Sequence, residues 1–150
     1  NMLEEIYFLD KLAQEAEKWV GRCWYKFIAG AHGENMFYFE SALADDVLIE
    51  RAIDTWYGEK YNWQQSGDCT DACSYTQMVW AKSSEIGCAA MRCASLNLPT
   101  HYALKSWFFV CLYNPKFVFI PTIYINKCSV WVCITIVFLK NFWSVGCYSI

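Results

Sequence analysis

The chain has 150 residues, of which 56% are apolar and 18% are charged. This composition excludes an intrinsically disordered chain or a flexible linker, because both combine low hydrophobicity with abundant charge. The formal net charge of −3 gives no electrostatic reason to expect a nucleic-acid partner. Nine cysteines and 19% aromatic residues favour an oxidising, extracellular compartment.

Two amphipathic helices are predicted in the first half of the chain. From Leu3 to Cys23, apolar residues recur at three- and four-residue spacing, which is the period of a helix with one buried stripe. A second helix is predicted from Asp45 or Asp46, since an acidic residue suits a helix N-terminus, to about Tyr57. The side chains expected to face the core from it are Val47, Leu48, Ala52 and Trp56.

The next part of the chain is predicted to form a loop and a small sheet. The polar stretch from Gln64 to Ala72 is typical of a loop, and it contains Cys69. Three strands are predicted after it, namely Tyr75–Ala81, Cys88–Cys93 and Ser106–Tyr113. Helices followed by a three-stranded antiparallel meander indicate an α+β layered domain.

The last 35 residues differ from the rest, because they contain three lysines and no acidic side chain. Their longest clean apolar run, Cys128 to Leu139, is shorter than the roughly 20 residues that a membrane span needs, so no span is expected. Two other interpretations remain open: buried or edge strands, or a translated intron. The opening residues do not resemble a signal peptide, so export is inferred from the cysteines. We therefore predict a domain at residues 1–115 and a hydrophobic tail of doubtful origin at 116–150.

Five segments of the chain resemble the CAP superfamily of cysteine-rich secretory proteins, insect venom antigen 5 and plant pathogenesis-related class 1 proteins. In order they are LAQEAEKWVGRC, GENM, AIDTWYGEKYNW, YTQMVWAKSSEIGCA and FVCLYNP. The resemblance is to venom-allergen-like and glioma-pathogenesis-related members. It implies secretion and a three-layer α–β–α sandwich with a central three-stranded antiparallel sheet, here lacking its first helix.

The cysteines are predicted to form structural disulfides. Six lie before residue 115, and by arithmetic alone they allow fifteen connectivities. The resemblance implies one of these, in which the pairs are Cys23 with Cys93, Cys88 with Cys111 and Cys69 with Cys73. The tail adds an odd number, which leaves at least one thiol unpaired within it.

In the resembled family, two histidines and two glutamates line a cleft that in some members holds a zinc-like ion. Glu34 and Glu59 match the glutamates, but Phe27 and Ser74 stand where the histidines are expected. Two carboxylates alone suit magnesium or calcium weakly and zinc poorly, so we predict no metal, no cofactor and no catalytic residue. His32, two residues before Glu34, either replaces a lost histidine or is a solvated loop residue.

Two functions remain open on the sequence. Some CAP proteins bind lipids beside an aromatic loop, and the matching residues here are Tyr57, Tyr61, Trp63 and Tyr75. We therefore expect a secreted, non-enzymatic protein that binds a sterol-like or fatty-acid ligand, or a partner (host) protein. The alternative is a metal-dependent or acid-pair hydrolase that uses Glu34 and Glu59. Against it, both carboxylates could simply bond backbone groups.

Overall fold

The structure, a computed structural model, describes residues 6–28, 30–40, 45–66 and 71–117. Its elements in chain order are β1 (Tyr7–Phe8), α1 (Asp10–Val20), β2 (Gly33–Phe39), α2 (Asp45–Gly58), α3 (Lys60–Ser66), α4 (Cys73–Met78), β3 (Glu85–Asn97) and β4 (Tyr102–Asn114). The mixture of helices and strands confirms the α+β class, and α2 lies where the second helix is predicted.

The described strands form one four-stranded sheet in the order β1-β3-β4-β2. β4 pairs antiparallel with β3 and β2, whereas β1 pairs parallel with β3. The prediction of three antiparallel strands is therefore wrong in number and in orientation. Two predicted strands lie within β3 and β4. β1 escapes prediction because two residues are too few to show a strand period.

The segment Tyr75–Ala81, predicted as a strand, begins instead within helix α4. The Thr76 hydroxyl donates to the carbonyl oxygens of Ala72 and Cys73, each 3.0 Å away. The Glu59 carboxylate accepts backbone N–H groups at the start of the same helix. These bonds stabilise a helical turn, and they outweigh the local preference for a strand.

Helices cover both faces of the sheet, so the described chain has three layers. On one face the buried residues are Leu12, Ala16 and Val20 of α1 with Phe108, Val110 and Leu112 of β4. On the other they are Leu48, Ala52 and Trp56 of α2 and Met78 of α4 with Phe109, Cys111 and Tyr113 of β4. From Phe108 to Tyr113, β4 is therefore buried on both faces, which the unbroken apolar sequence of that segment requires.

α1 is shorter than the predicted helix from Leu3 to Cys23. The Tyr7 N–H donates to the Ser84 carbonyl and the Leu9 N–H to the Ile86 carbonyl, both at 2.7 Å. Because the backbone before α1 pairs with β3 in this way, it does not coil. Residues 3–5 lie outside the described part of the chain.

Two predicted segments are described only in part. The predicted loop from Gln64 to Ala72 begins inside α3, and residues 67–70 lie outside the described ranges. Of the predicted tail, the structure describes residues 116 and 117. The Phe117 N–H donates to Gln77 Oε1 at 2.8 Å, and the Phe117 ring contacts that of Trp80 at a centroid distance of 4.9 Å. The division at residue 115 stays a prediction.

Two disulfides, Cys23–Cys93 and Cys88–Cys111, match the implied pairing. The first ties the segment after α1 to β3 across 70 residues of sequence. The second joins residues that lie opposite each other in β3 and β4. Cys69, the implied partner of Cys73, lies outside the described residues, as do the three tail cysteines.

Candidate functional site

A cleft of about 370 Å³ lies beside β2, at the edge of the sheet, and the start of α4. Its lining residues are Tyr25, Phe27, Met36, Phe37, Tyr38, Thr55, Trp56, Glu59 and Ser74. The structure thus brings together three of the four predicted cleft residues. The fourth, Glu34, is not among the lining residues.

Glu59 lies between α2 and α3, and its carboxylate binds the first turn of α4. Oε2 accepts the N–H of Ser74 at 2.8 Å and the N–H of Tyr75 at 3.1 Å. N–H groups in the first turn of a helix have no partner within that helix. A carboxylate there supplies the missing acceptor and interacts favourably with the helix dipole. One face of the cleft is therefore held in place by Glu59.

Glu34 lies on β2 and serves the segment that follows α1. Its Oε2 accepts the N–H of Ile28 at 2.9 Å. Its Oε1 is buried, with no hydrogen-bond partner among the described residues. Burial raises the pKa of Glu34, while the bond from Ile28 and the positive charge of Lys116 act in the opposite direction.

Two aromatic donors of the cleft share one acceptor. The Tyr25 hydroxyl donates to the Met36 carbonyl at 3.4 Å, and the Trp56 indole N–H donates to the same oxygen at 2.9 Å. Burial raises the pKa of Tyr25 to about 12, and Tyr38 and Glu59 add to the shift. Tyr25 is therefore a neutral phenol at physiological pH.

Sequence reasoning missed several lining residues, among them Tyr25, Met36, Tyr38 and Thr55. A signal exists for two strand residues, because Met36 and Tyr38 follow Glu34 at two-residue spacing along β2 and therefore share its face. It does not reveal that β2 is an edge strand, which depends on pairing with β4.

The four residues predicted to bind lipid are here called the aromatic group, and none of them lines the cleft: Tyr57, Tyr61, Trp63 and Tyr75. The rings of Tyr57 and Tyr75 meet edge to face at a centroid distance of 5.6 Å. The Lys60 ammonium lies 4.5 Å from the ring centroid of Tyr57 and 5.2 Å from that of Tyr61. Trp63 is half-buried and makes no ring contact with the three tyrosines in the described structure.

Residues 2–113 match the family model described as CAP, the cysteine-rich secretory protein family. This chain belongs to the CAP family. Venom allergen 5 of Vespa mandarinia is 30% identical over 75% of the chain and 57% of its own length. Human peptidase inhibitor 15 is 28% identical over 76% of the chain and 49% of its own length. Fruiting body protein SC14 of Schizophyllum commune is 32% identical over 70% of the chain and 50% of its own length.

Two solved structures share this CAP fold. BmVAL-1 superimposes with a TM-score of 0.58 at 21% identity, over 74% of this chain and 59% of its own. Hookworm platelet inhibitor superimposes with a TM-score of 0.55 at 19% identity, over 75% of this chain and 56% of its own. Identities this low concern the fold alone. The chain spans about half the length of the curated relatives that it matches.

The cleft beside β2 does not fit a zinc-like ion. Glu59 is the one carboxylate among the described lining residues, and its Oε2 already accepts two N–H groups. Across the described ranges, no group of three or more His, Cys, Asp or Glu side chains could hold a metal. A single engaged carboxylate lacks the nitrogen or sulfur ligands that zinc prefers.

His32 does not take the place of a CAP cleft histidine in this structure. Its Nε2 lies 3.5 Å from Glu15 Oε2 on α1, and His32 is not among the residues that line the cleft. Its Nδ1 is buried without a hydrogen-bond partner in the described structure. The side chain therefore belongs to the contact between α1 and the start of β2.

Proposed function

We propose that this CAP protein is secreted and acts by binding, without catalysis, and that its ligand is an apolar molecule of the fatty-acid type. The family's description as secretory supports export, and two disulfides fit an oxidising compartment. In the part of the chain that is described, no helix has the length and apolar character needed to cross a bilayer.

The arrangement of the two glutamates supports binding rather than hydrolysis. An acid-pair hydrolase needs two carboxylates that face the same substrate. Glu59 lines the cleft and binds the start of α4, whereas Glu34 bonds Ile28 and does not line the cleft. Phe27 and Ser74 supply no imidazole as a base or metal ligand. The alternative hydrolase thus lacks a shared substrate position for its two acids.

The observation that carries the choice of ligand is the Lys60 ammonium, which lies over the rings of Tyr57 and Tyr61. The rings offer a rigid apolar surface, and Tyr61 is 61% exposed. An ammonium on that surface would pair with the carboxylate of a fatty acid. A sterol has no charged group that could form an ion pair with the Lys60 ammonium, so we favour a fatty acid over a sterol.

The first test extracts the secreted, oxidised protein with solvent and identifies any bound lipid by mass spectrometry. The second test measures the affinity of the lipid-free protein for dodecanoic acid and for dodecanol. We expect the acid to bind about two- to fivefold more tightly than the alcohol, because exposed ion pairs contribute little. Lys60→Met should abolish that difference. Lys82→Met is the matched control, since the Lys82 ammonium lies 6.0 Å from the Trp80 ring.

Equal binding of acid and alcohol would contradict the role of Lys60 and point to a neutral ligand such as a sterol. If the protein carries no lipid and binds neither compound, lipid binding itself is wrong.

A partner protein is the second candidate, and exposed aromatic side chains favour it. Phe27 and Tyr61 are each 61% exposed, and Trp24 is 45% exposed. Aromatic residues often anchor protein interfaces. Loss of partner binding in Phe27→Ala and Tyr61→Ala, in a protein that carries no lipid, would support this candidate.

A further inference from the structure

The cleft beside β2 differs from the aromatic group in the sign of its charge. Glu59 is the one acidic side chain among the described residues that line the cleft, and no lysine or arginine is among them. Lys60, the next residue in the chain, lies over the rings of Tyr57 and Tyr61 instead. Two adjacent residues thus give two neighbouring sites opposite charges.

Four hydrogen-bond donors of the lining residues are already engaged within the protein. Tyr25 and Trp56 both donate to the Met36 carbonyl. The Thr55 hydroxyl donates to the Arg51 carbonyl at 2.7 Å. The Ser74 N–H donates to Glu59 at 2.8 Å. An anion that entered would lose its hydration and gain none of these four donors, and it would lie near the Glu59 carboxylate.

Five aromatic rings line this small space: Tyr25, Phe27, Phe37, Tyr38 and Trp56. The faces of aromatic rings attract cations, and the attraction is largest where water is excluded. Tyr25 and Tyr38 meet edge to face at a centroid distance of 5.2 Å. The carboxylate of Glu59 interacts electrostatically with this cluster, since it contributes to the raised pKa of Tyr25.

We infer that the cleft binds a small organic ammonium ion with alkyl substituents, its cationic head lying among the aromatic rings and near Glu59. Such an ion is weakly hydrated, and it needs neither imidazole ligands nor unengaged donors. A volume of about 370 Å³ suits a small molecule rather than a long lipid. This site is distinct from the aromatic group and does not depend on fatty-acid binding.

The experiment uses choline and its neutral isostere 3,3-dimethylbutan-1-ol, titrated calorimetrically into the full oxidised chain. The two probes have the same shape and hydroxyl group and differ in the charge of the head. We expect choline to bind about two- to fivefold more tightly than the isostere, which is the range of cation–π attraction at a solvent-accessible site.

Two variants assign the binding to the cleft. Phe27→Leu keeps an apolar side chain but removes a ring, and it should weaken choline binding several-fold. Its matched control is Tyr102→Leu, because Tyr102 is 66% exposed at the start of β4 and does not line the cleft. Glu59→Gln should weaken choline binding further while keeping an acceptor for the Ser74 N–H. If that variant does not fold, Phe27→Leu alone decides.

Three results would overturn the inference: no binding of choline, equal binding of choline and its isostere, or unchanged choline binding in Phe27→Leu. Lys60→Met separates the two proposals, because it should weaken fatty-acid binding and leave choline binding unchanged.

Discussion

Glu34 and Glu59 both bond backbone N–H groups, yet their surroundings differ. Glu59 accepts two N–H groups at a helix start, where its negative charge is stabilised. Glu34 accepts one, and its other oxygen is buried without a partner in the described structure. The charge of Glu34 is therefore a source of instability, because burial raises the pKa of its carboxyl group.

Glu34→Gln is expected to reduce the pH dependence of stability. The pKa of Glu34 in the folded protein lies above its ordinary value of 4.5. The native state therefore binds more protons between the two values, and the free energy of unfolding falls as pH rises through that window. The variant should gain stability relative to the wild type as pH rises above 4.5. Urea unfolding across this range measures the effect.

Glu50→Gln is the control for this measurement, because Glu50 is exposed on α2. A stability difference between wild type and Glu34→Gln that stays constant with pH would contradict the assignment.

At the scale of elements, α1 lies directly on β3 at Gly87. A Cβ at this position would overlap the backbone nitrogen of Ala13 and the Cβ of Leu12. Neither atom can move without shifting the helix. The close packing of α1 on the sheet therefore requires glycine at residue 87. This packing lets Leu12, Ala16 and Val20 of α1 reach the core residues of β4.

Gly87→Ala should destabilise the fold by about 2–3 kcal/mol, because overpacking forces the backbone of α1 to move. Gly58→Ala is the matched substitution, since a Cβ there meets no atom within 4 Å. It should stabilise the end of α2 by up to about 1 kcal/mol through helix propensity. Urea unfolding of both variants checks the prediction. Similar stability changes in the two would show that α1 adjusts freely.

At the scale of the whole molecule, side-chain amide and hydroxyl groups fasten the end of the described chain to α4. Gln77 Nε2 donates to the Ser83 hydroxyl, and that hydroxyl donates to the Pro115 carbonyl, both at 2.9 Å. Gln77 Oε1 accepts the N–H of Phe117. A Cβ on Gly33 would overlap the Gln77 amide. The close contact between β2 and α4 thus depends on glycine.

The two disulfides should contribute unequally to stability. Cys23–Cys93 spans 70 residues and Cys88–Cys111 spans 23. In the chain-entropy model, replacing both cysteines of the first pair by alanine costs about 4 kcal/mol, against about 3 kcal/mol for the second. Urea unfolding of the two double variants measures the order. A larger loss from the shorter loop would contradict the entropic argument.

The sequence by itself determined the helical stripes of α1 and α2, the hairpin of β3 and β4, the family, and the absence of imidazoles at residues 27 and 74. Each of these depends on local period or residue identity. Only the tertiary structure decided that α4 is a helix, because its capping carboxylate comes from Glu59, 15 residues before Ser74. The tertiary structure also places the side chains of Glu59 and Lys60 in different sites. Because α2 ends at Gly58 and α3 begins at Lys60, these two neighbours in sequence face different ways.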